Sequence, residues 1–363
     1  MSEVRQQLEL PSPLGLTSAQ FLDAAGLSGA KTTHAALARY KAFYRRGEST
    51  PADPVPAPIR TSVSEAPEGS VTKFLLPVPG VSAIAKDLET ESVLIPMPHG
   101  DETSWTLCVS SQVGCAMGCD FCETAQMGLI RSLTAGEIVA QWYAARHRLN
   151  HPVRNIVFMG MGEPLDNTEG VMQAIACLID HNGPAIAASK ITISTVGRAE
   201  GLRRLRERVL QPGLRQLNLA VSVNAPNDEI RSRIMPINRA TPLAELMEIL
   251  RSWPMRRCAA ICIEYVLIPG VNDADDHADQ LCALLKGLRC CVNVIPYNPR
   301  RNSPWPAPLE DDVWRFLRRL ESHGQFCKRR KTKGRDTMAA CGQLGNEHIR
   351  RRRLVDATVS AGA

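Results

Sequence analysis

Residues 105–122 read WTLCVSSQVGCAMGCDFC, a short β-rich run that passes directly into a loop with three closely spaced cysteines. Five more β-rich runs follow along the chain, at 155–160, 190–195, 217–223, 260–268 and 292–297. Helical patterns lie after these runs, at 134–148, 167–181, 198–209, 242–252, 275–287 and 309–323. Alternation of strands with helices is typical of a parallel sheet, so the sequence predicts an α/β protein.

Six strand–helix units are fewer than the eight that close a complete barrel, so the predicted architecture is a partial (βα)6 barrel. The first helix has a clear beginning, because Thr134 and Glu137 form a capping box ahead of its apolar positions. In parallel folds of this kind, functional residues lie just after the carboxyl ends of the strands. The cysteine loop follows the first predicted strand and therefore lies where a site is expected.

Length and proline content divide the chain into segments. Its 363 residues are enough for a barrel-sized domain and a smaller one. Residues 35–46 have apolar residues at helical spacing, and residues 49–58 contain four prolines, which is typical of a linker. We predict a small helical N-terminal domain over 1–48, a proline-rich linker over 49–60, the partial barrel over 61–345 and a basic C-terminal tail over 346–363.

Composition argues against a membrane protein. Apolar residues make up 44% of the chain, but no apolar run approaches the ~18 residues that a membrane span requires. The N-terminus carries Glu3 and Glu9 and lacks the apolar core of an export signal, so we expect a cytoplasmic protein. In that setting clustered cysteines indicate metal or redox chemistry. Scattered cysteines in apolar stretches are expected to be mostly core residues: Cys177, Cys258, Cys262, Cys282, Cys290 and Cys291.

The net charge of +6 is unevenly placed. Between Lys328 and Arg353 there are ten lysines or arginines and two acidic residues, Asp336 and Glu347. This bias favours a polyanionic partner such as a nucleic acid. The alternative is a solvated basic tail, which is the commoner meaning of a charge run.

The strongest chemical signal is the CxxxCxxC spacing of Cys115, Cys119 and Cys122. Three thiolates on one tight loop can reach three corners of a cubane 4Fe-4S cluster and leave the fourth iron open for a small molecule. Gly114 and Gly118 let the backbone bend around such a cluster. The alternatives are a chance triplet in a cysteine-rich chain and a zinc site that lacks its fourth ligand.

CxxxCxxC is the signature of the radical S-adenosylmethionine superfamily, and the six predicted units resemble the partial barrel of that superfamily. The resemblance implies that the open iron binds the amino and carboxylate groups of S-adenosylmethionine. It also implies that an electron from the cluster cleaves the sulfonium and releases a 5′-deoxyadenosyl radical.

Polar residues at the ends of the other predicted strands fit this cofactor. In Gly160–Pro164, Gly162 allows a close backbone approach, and Glu163 can accept a hydrogen bond from the cofactor's ammonium group. Ser194 ends the third strand, Ser222 and Asn224 end the fourth, and Asn298 follows the sixth. Each alone more often makes only a turn, but together they recur at one rim.

The segments around two further cysteines, outside the CxxxCxxC loop, point to a more specific family. Cys108 lies in LCVSSQVGC and Cys341 lies in AACGQL, and neither has the loop spacing of a cluster ligand. With CDFCETAQMG, LTAGEIVAQ, GMGEPL, NAPNDEIR, MPIN, IPYNP and RKTKGRD, these segments occur in an order that resembles the RlmN/Cfr-type methyltransferases, which methylate adenine carbons in ribosomal RNA. The resemblance runs from about residue 91 to residue 344. Without it, both cysteines would be ordinary thiols.

The resemblance implies a mechanism with two cysteines. Cys341 is methylated by one S-adenosylmethionine, and the radical from a second removes hydrogen from that methyl group. The resulting methylene radical adds to an adenine carbon that is too electron-poor for polar methyl transfer. Cys108 then assists proton removal, and a disulfide between the two cysteines releases the product. Glu91, in ESVLIP, matches a family glutamate that acts as proton acceptor.

The sequence departs from the family pattern at the rim. Ser222-Val223-Asn224 stands where the family usually has a Ser-Leu-His triplet, and we expect these three residues still to contact the cofactor. Tyr297 precedes Asn298 where tryptophan is common, and Ala125 replaces a frequent glycine. The N-terminal segment matches the family only loosely.

We therefore predict a radical S-adenosylmethionine methyltransferase that acts on adenine in ribosomal RNA and by extension transfer RNA, with C2 as the expected target carbon. It would require a 4Fe-4S cluster, S-adenosylmethionine and an electron donor such as flavodoxin. One rival hypothesis is a related radical enzyme with a peptide or small-metabolite substrate. Another is a non-catalytic RNA-binding protein with a structural metal, which would need neither Cys108 nor Cys341. Salt-dependent RNA binding separates the first hypothesis from the rival with a non-RNA substrate.

Overall fold

A mixed sheet of ten strands carries the fold. The structure is a computed structural model and describes residues 10–26, 29–65, 69–80, 87–99, 102–331, 333–346 and 348–349. The described strands are β1 (Arg60–Ser64), β2 (Val71–Pro79), β3 (Asp87–His99), β4 (Glu102–Cys108), β5 (Gln112–Val113), β6 (Arg131–Ser132), β7 (Val153–Phe158), β8 (Ile191–Thr195), β9 (Asn218–Ser222), β10 (Ile261–Leu267), β11 (Cys290–Pro296) and β12 (Cys327–Arg329).

The strand order of the large sheet is β1-β2-β3-β4-β7-β8-β9-β10-β11-β12, and β5 pairs with β6 in a separate ribbon. Neighbours from β4 to β12 run parallel. Neighbours from β1 to β4 run antiparallel. In the parallel part, crossover connections bring the carboxyl ends of all strands to the same rim of the sheet. A site is therefore expected at that rim.

Helices connect the parallel strands. The described α-helices are α1 (Ser18–Ala24), α2 (Ala30–Lys41), α3 (Glu123–Met127), α4 (Ala135–Tyr143), α5 (Thr168–Ile179), α6 (Ala199–Arg208), α7 (Asp228–Ile234), α8 (Leu243–Arg251), α9 (Asp275–Leu285) and α10 (Glu310–Ser322). Five residues of π-helix extend α2 over Ala42–Arg46 and α4 over Ala144–Arg148. The predicted capping box of α4 is present, with Thr134 accepting from the backbone of Glu137 and Glu137 accepting from the backbone of Thr134.

The predicted fold class is confirmed. The six predicted strands correspond to β4 and β7 to β11, and they are consecutive neighbours in the sheet. The six predicted helices correspond to α4, α5, α6, α8, α9 and α10, with ends that differ by a few residues. The sequence patterns did not predict β1 to β3, β12 or α7. In β2 and β3, prolines at 77, 79, 96 and 98 interrupt the strand pattern, and proline is usually a signal against a strand.

The N-terminal helices pack against the helices that cover the sheet. The ring of Phe43 lies 4.7 Å from that of Tyr143, centroid to centroid, and Tyr44 lies 6.2 Å from Trp142. The carboxylate of Asp180, just after α5, accepts a hydrogen bond of 2.5 Å from the backbone N–H of Ser18. The helices predicted for this region are therefore present, and the division of the chain into domains stays a prediction. Most of the predicted tail over 346–363 lies outside the described residues.

The expectation for the scattered cysteines is wrong for most of them. Cys177 and Cys290 are buried, but Cys258 is exposed, and Cys262, Cys282 and Cys291 are half-buried. Cys262 and Cys291 are register partners near the amino ends of β10 and β11. Over the part of the chain that the structure describes, no helix is both long enough and apolar enough to cross a membrane.

Candidate active site

The cysteine loop bends tightly between β5 and α3. Gly114 has φ +75°, and a Cβ there would lie 1.8 Å from the carbonyl oxygen of Gly128, so only glycine fits. Gly118 also has a positive φ of +67°. These two bends bring Cys115, Cys119 and Cys122 to one side of the loop, where all three line the same cavity.

This cluster-side cavity has a volume of about 150 Å³. It brings together most of the residues that the sequence predicted for the site: Cys115, Cys119, Cys122, Gly162, Glu163, Ser194, Ser222, Asn224, Asn298 and Cys341. Its other walls include Phe158, Met159, Val266, Ile295 and Tyr297. Polar groups on an apolar concave surface are typical of a small-molecule site.

Three predicted residues do not line this cavity. Val223 is fully buried and packs in the apolar core, so its side chain does not contact the cofactor as predicted. Cys108 is buried at the end of β4, and Glu91 is buried on β3. Glu91 lies 3.5 Å from Nζ of Lys73 and accepts a hydrogen bond of 3.3 Å from the backbone N–H of Gly345.

Glu163 fixes the turn after β7 to the end of β8. Its carboxylate accepts hydrogen bonds from the hydroxyl of Thr195 at 2.7 Å, from the N–H of Val196 at 2.9 Å and from the N–H of Leu165 at 3.0 Å. Burial raises the pKa of Glu163 to about 7, while these donors favour the ionised form and oppose that shift. A carboxylate has room for about four such contacts, so one remains for a ligand.

Asn224, at the position of the usual family histidine, has φ +57°, a left-handed conformation that asparagine tolerates. Its Oδ1 accepts from the N–H of Val266 at 2.9 Å, and its backbone oxygen accepts from Nδ2 of Asn272 at 2.7 Å. Asn224 therefore joins the ends of β9 and β10, and its Nδ2 lies 3.3 Å from the sulfur of Met235.

Two buried charged residues at the site were missed by the sequence reasoning. Arg231, on α7, donates to the backbone oxygens of Val223 at 3.0 Å and Val196 at 2.6 Å, which fixes both loops. Burial lowers the pKa of Arg231 to about 10. Glu264, on β10, accepts from the hydroxyl of Ser194 at 2.7 Å. Glu264 lies in the predicted strand at 260–268, where a single charged residue among apolar ones was the available signal. Arg231 lies in the polar segment NAPNDEIR, which gave no such signal.

Cys341 reaches the cavity on a loop that is hydrogen-bonded to the start of α3, directly after the cysteine loop. The N–H of Glu123 donates to the oxygen of Gly342 at 2.7 Å, and the hydroxyl of Thr124 donates to the oxygen of Leu344 at 2.5 Å. On the other side, Nδ2 of Asn298 donates to the oxygen of Cys341 at 3.4 Å. These contacts place a thiol that is distant in sequence next to the predicted cluster ligands.

Cys108 and Cys341 are electrostatically coupled. Burial raises the pKa of Cys108 to about 12, and the neighbouring Cys341 acts in the same direction, whereas Arg330 lowers it. Burial also raises the pKa of Cys341, and the positive charge of Arg330 opposes that shift. All twelve cysteines are free thiols, so no disulfide joins these two in the structure.

The donor set fits a 4Fe-4S cluster. Three thiols from one loop line the cavity. The fourth cysteine on its wall, Cys341, comes from a different loop, so the cysteine loop itself supplies three ligands and not four. Within the described residues, no three His, Cys, Asp or Glu side chains converge closely enough to hold a single metal ion. A cubane has a different requirement, because each of its irons takes its own thiolate.

Comparison with known proteins identifies the family. Residues 109–282 match the radical SAM superfamily. A probable dual-specificity RNA methyltransferase, RlmN 1 of Protochlamydia amoebophila, is 46% identical over 79% of this chain and 76% of its own length. The dual-specificity RNA methyltransferase RlmN of Syntrophotalea carbinolica is 46% identical over 71% of this chain and 67% of its own.

The chain belongs to the RlmN family of radical SAM methyltransferases. A crystal structure of a radical SAM methyltransferase from Sphaerobacter thermophilus agrees with this assignment. It superposes with a TM-score of 0.80 at 36% identity and covers 92% of this chain and 99% of that one. The family and the enzyme class predicted from the sequence are thus confirmed, and the chain is a radical SAM enzyme of the RlmN type.

Proposed function

We propose that this RlmN family member methylates C2 of adenine in RNA, with Cys341 as the methyl carrier and Cys108 as the residue that releases the product. The observation that carries the proposal is the position of Cys341. It lies on the wall of the cavity that Cys115, Cys119 and Cys122 line, on a loop bonded to the helix that follows them.

Cys115, Cys119 and Cys122 would hold the 4Fe-4S cluster, and the polar rim would bind S-adenosylmethionine. Together these groups supply a 5′-deoxyadenosyl radical when bound. Glu163 is held in place by three donors and can accept the ammonium group of the cofactor. Ser194, Ser222 and Asn298 offer further polar contacts on the same wall.

Cys341 would acquire its methyl group by polar displacement. The sulfur forms a bond to the methyl carbon while the bond from that carbon to the sulfonium breaks, and the thiol proton leaves. The reaction needs the thiolate, so the positive charge of Arg330, which lowers the pKa of Cys341, favours it.

Cys108 would act after the methylene carbon is bonded to the base. Its sulfur attacks the sulfur of Cys341, the bond from that sulfur to carbon breaks, and the electron pair left on carbon takes up a proton to complete the methyl group. The two thiols are thereby oxidised to a disulfide, which an external thiol must reduce. Before that step Glu91 would take the proton from C2, and burial favours this because it raises the pKa of Glu91. The unpaired electron that radical addition leaves on the base would return to the oxidised 4Fe-4S cluster when that group is bound, so the base enters the release step with paired electrons.

The partner proposed from these observations is RNA. The relatives are named dual-specificity RNA methyltransferases, so we infer ribosomal and transfer RNA as substrates. The basic region from Lys328 onward includes Arg330, Lys331 and Lys333 next to Cys341. An electron donor of the flavodoxin type completes the system, and we place the enzyme in the cytoplasm, where its substrates and reductant are found.

The test is methylation of purified RNA. Anaerobically reconstituted protein is incubated with S-adenosylmethionine that carries a deuterated methyl group, a reductant and either ribosomal or transfer RNA. Nucleosides are then separated by mass spectrometry against 2-methyladenosine and 8-methyladenosine standards. Label in 2-methyladenosine supports the proposal. Label in neither nucleoside, with Cys341 nevertheless methylated, would favour a substrate other than RNA.

A further inference from the structure

A second, larger cavity lies on the other side of Cys341. Its volume is about 610 Å³, against about 150 Å³ for the cluster-side cavity. Four residues line both cavities: Met159, Ile295, Asn298 and Cys341. The two spaces are therefore neighbours inside one barrel, and the thiol of Cys341 belongs to the wall between them.

The floor of this second cavity is polar. Thr106, Asn155, Thr192 and Asn218 line it from β4, β7, β8 and β9. Thr106 and Asn155 are register partners, and so are Thr192 and Asn218. Barrel interiors are normally filled by branched apolar side chains. A layer of amides and hydroxyls that faces open space instead indicates a ligand with hydrogen-bonding edges.

The two asparagines of the floor differ in how much of their hydrogen-bonding capacity the protein itself uses. Asn218 is engaged at both ends, because its Nδ2 donates to the oxygen of Ser189 at 2.8 Å and its Oδ1 accepts from Arg256 at 3.3 Å. Asn155 donates one Nδ2 hydrogen to the hydroxyl of Thr106 at 3.3 Å. Asn155 lines the cavity, and within the described part of the chain its Oδ1 accepts no hydrogen bond, so one donor and one acceptor of the amide are left for a ligand.

The remaining walls suit a nucleotide. On one side β3 contributes an apolar surface from Val93, Ile95 and Met97, against which the face of a base can pack. The basic side chains follow β12 or directly precede β8: Arg330, Lys331, Lys333 and Lys190. Positive groups beside an apolar wall match a ligand with a planar base and phosphates.

We propose that this second cavity binds the target adenosine nucleotide, turned out of the RNA, and that Asn155 reads the N6/N7 edge of its base. The inference rests on the proposed function, since that function supplies the adenine. An asparagine amide pairs with this edge through two hydrogen bonds, by accepting from N6 and donating to N7. The pairing uses the two amide positions of Asn155 that are left for a ligand.

This orientation also explains the choice of carbon. In adenine, C2 lies across the ring from the N6/N7 edge, whereas C8 lies next to N7. A base held on the floor by Asn155 therefore presents C2 to the wall that contains Cys341, and C8 stays near the floor. Asn155 is a specificity-determining residue in this arrangement, and it is separate from the predicted contacts to cluster and cofactor.

The first experiment measures ligand binding to the reconstituted full-length protein by saturation-transfer NMR. The probes are adenosine 5′-monophosphate and its 7-deaza analogue, which lacks the N7 acceptor. Wild type should bind the analogue roughly tenfold or more weakly. Asn155→Leu should weaken binding of adenosine 5′-monophosphate similarly and no longer distinguish the two. Asn182→Leu, a half-buried asparagine beside α5, is the matched control and should behave as wild type. Equal affinity of wild type for both probes would overturn the proposal without any substitution.

The second experiment separates failure of this inference from failure of the proposed function. Each protein is assayed for methylation of Cys341 by S-adenosylmethionine without RNA, by intact mass, and for methylation of RNA. Asn155→Leu should methylate Cys341 at the wild-type rate and RNA at least tenfold more slowly, which also shows that it is folded. Equal RNA methylation by Asn155→Leu and wild type would refute the role of Asn155 and leave the proposed function intact. Asn155-dependent nucleotide binding without any RNA methylation by wild type would refute the proposed function alone.

Discussion

Arg330 and Glu264 form an ion pair inside the barrel, with Nη1 of Arg330 at 3.2 Å from Oε1 of Glu264. Glu264 lines the cluster-side cavity, and Arg330 lines the second cavity. Glu264 also accepts from Ser194 on the cofactor side. The pair thus connects the two cavities electrostatically, next to Cys341.

Replacement of Arg330 should change how methylation of Cys341 depends on pH. Arg330 holds the pKa of Cys341 below the value that burial alone would give. Arg330→Gln removes that charge, so the pKa rises further and less thiolate is present at neutral pH. We expect methylation by S-adenosylmethionine to slow several-fold at pH 7 and its rise with pH to move to more alkaline values. Intact mass against time, at several pH values, measures this.

Replacement of Arg330 leaves the carboxylate of Glu264 without its ion-pair partner, and control variants separate that effect. Glu264→Gln removes a negative charge that raises the pKa of Cys341, so its profile should move in the opposite direction. Arg330→Lys keeps the positive charge and should stay closer to wild type. If Arg330→Gln alters only the plateau rate and not its position along the pH axis, Arg330 has a packing role.

The cluster ligands predict a direct spectroscopic result. Anaerobically reconstituted protein should bind about four irons and four sulfides per chain. Replacement of Cys115, Cys119 and Cys122 together by alanine should abolish the brown chromophore and the bound iron. The matched control replaces Cys258, Cys282 and Cys291, none of which lines the cluster-side cavity, and should keep the full cluster. A cluster retained by the first triple variant would refute the assignment.

The two proposed cysteine roles predict different failures. Cys341→Ala lacks the methyl carrier, so no covalent complex with RNA should form. Cys108→Ala can form the complex but cannot release it, so a protein–RNA species should accumulate on a denaturing gel after turnover. Cys177→Ala, a buried thiol away from both cavities, is the control and should turn over normally. Normal turnover by Cys108→Ala would exclude the release role.

The basic region predicts the salt dependence of RNA binding. Substitution of Lys328, Lys331 and Arg335 by glutamine removes charges that are exposed in the structure. We expect weaker binding to all RNA sequences. The dependence of log affinity on log salt should also become shallower, by about one unit for each side chain that no longer neutralises a phosphate. An unchanged slope would mean that these side chains do not neutralise phosphates. Residues 350–353 lie outside the described part of the chain, so the test does not involve them.

Asp180 predicts how firmly the N-terminal helices are held. Hydrogen bonds from Ser18 and Asn182 keep the pKa of Asp180 below its usual value, although burial acts to raise it. Asp180→Ala leaves those donors without a partner and should lower the free energy of unfolding by about 1–3 kcal/mol. The lowered pKa means that wild type loses this contribution as pH falls towards that pKa, so the difference between the proteins should shrink in acid. The contribution is lost only below the unfolded pKa of about 3.9, so urea titrations at pH 7 and at about pH 3 measure both effects. An equal difference at the two pH values would contradict the assignment.

The sequence predicted the features that local pattern determines. Six strands and six helices followed from apolar periodicity, and the cluster loop followed from the spacing of Cys115, Cys119 and Cys122. The pairing of Arg330 with Glu264 spans 66 residues, and no one-dimensional pattern shows which buried charge meets which. The second cavity depends on the register of β4 with β7 and of β8 with β9, which exists only in the folded sheet.

The hydrogen bonds between the start of α3 and the loop of Cys341 bear on the order in which the site forms. Cys115, Cys119 and Cys122 lie within eight residues of one another, so their loop can form early and locally. The bond from Thr124 to Leu344 closes over a separation of 220 residues, and contacts of such separation are slow to form. The cluster ligands therefore belong to the part of the site that local sequence can form, and Cys341 belongs to the part that depends on long-range closure.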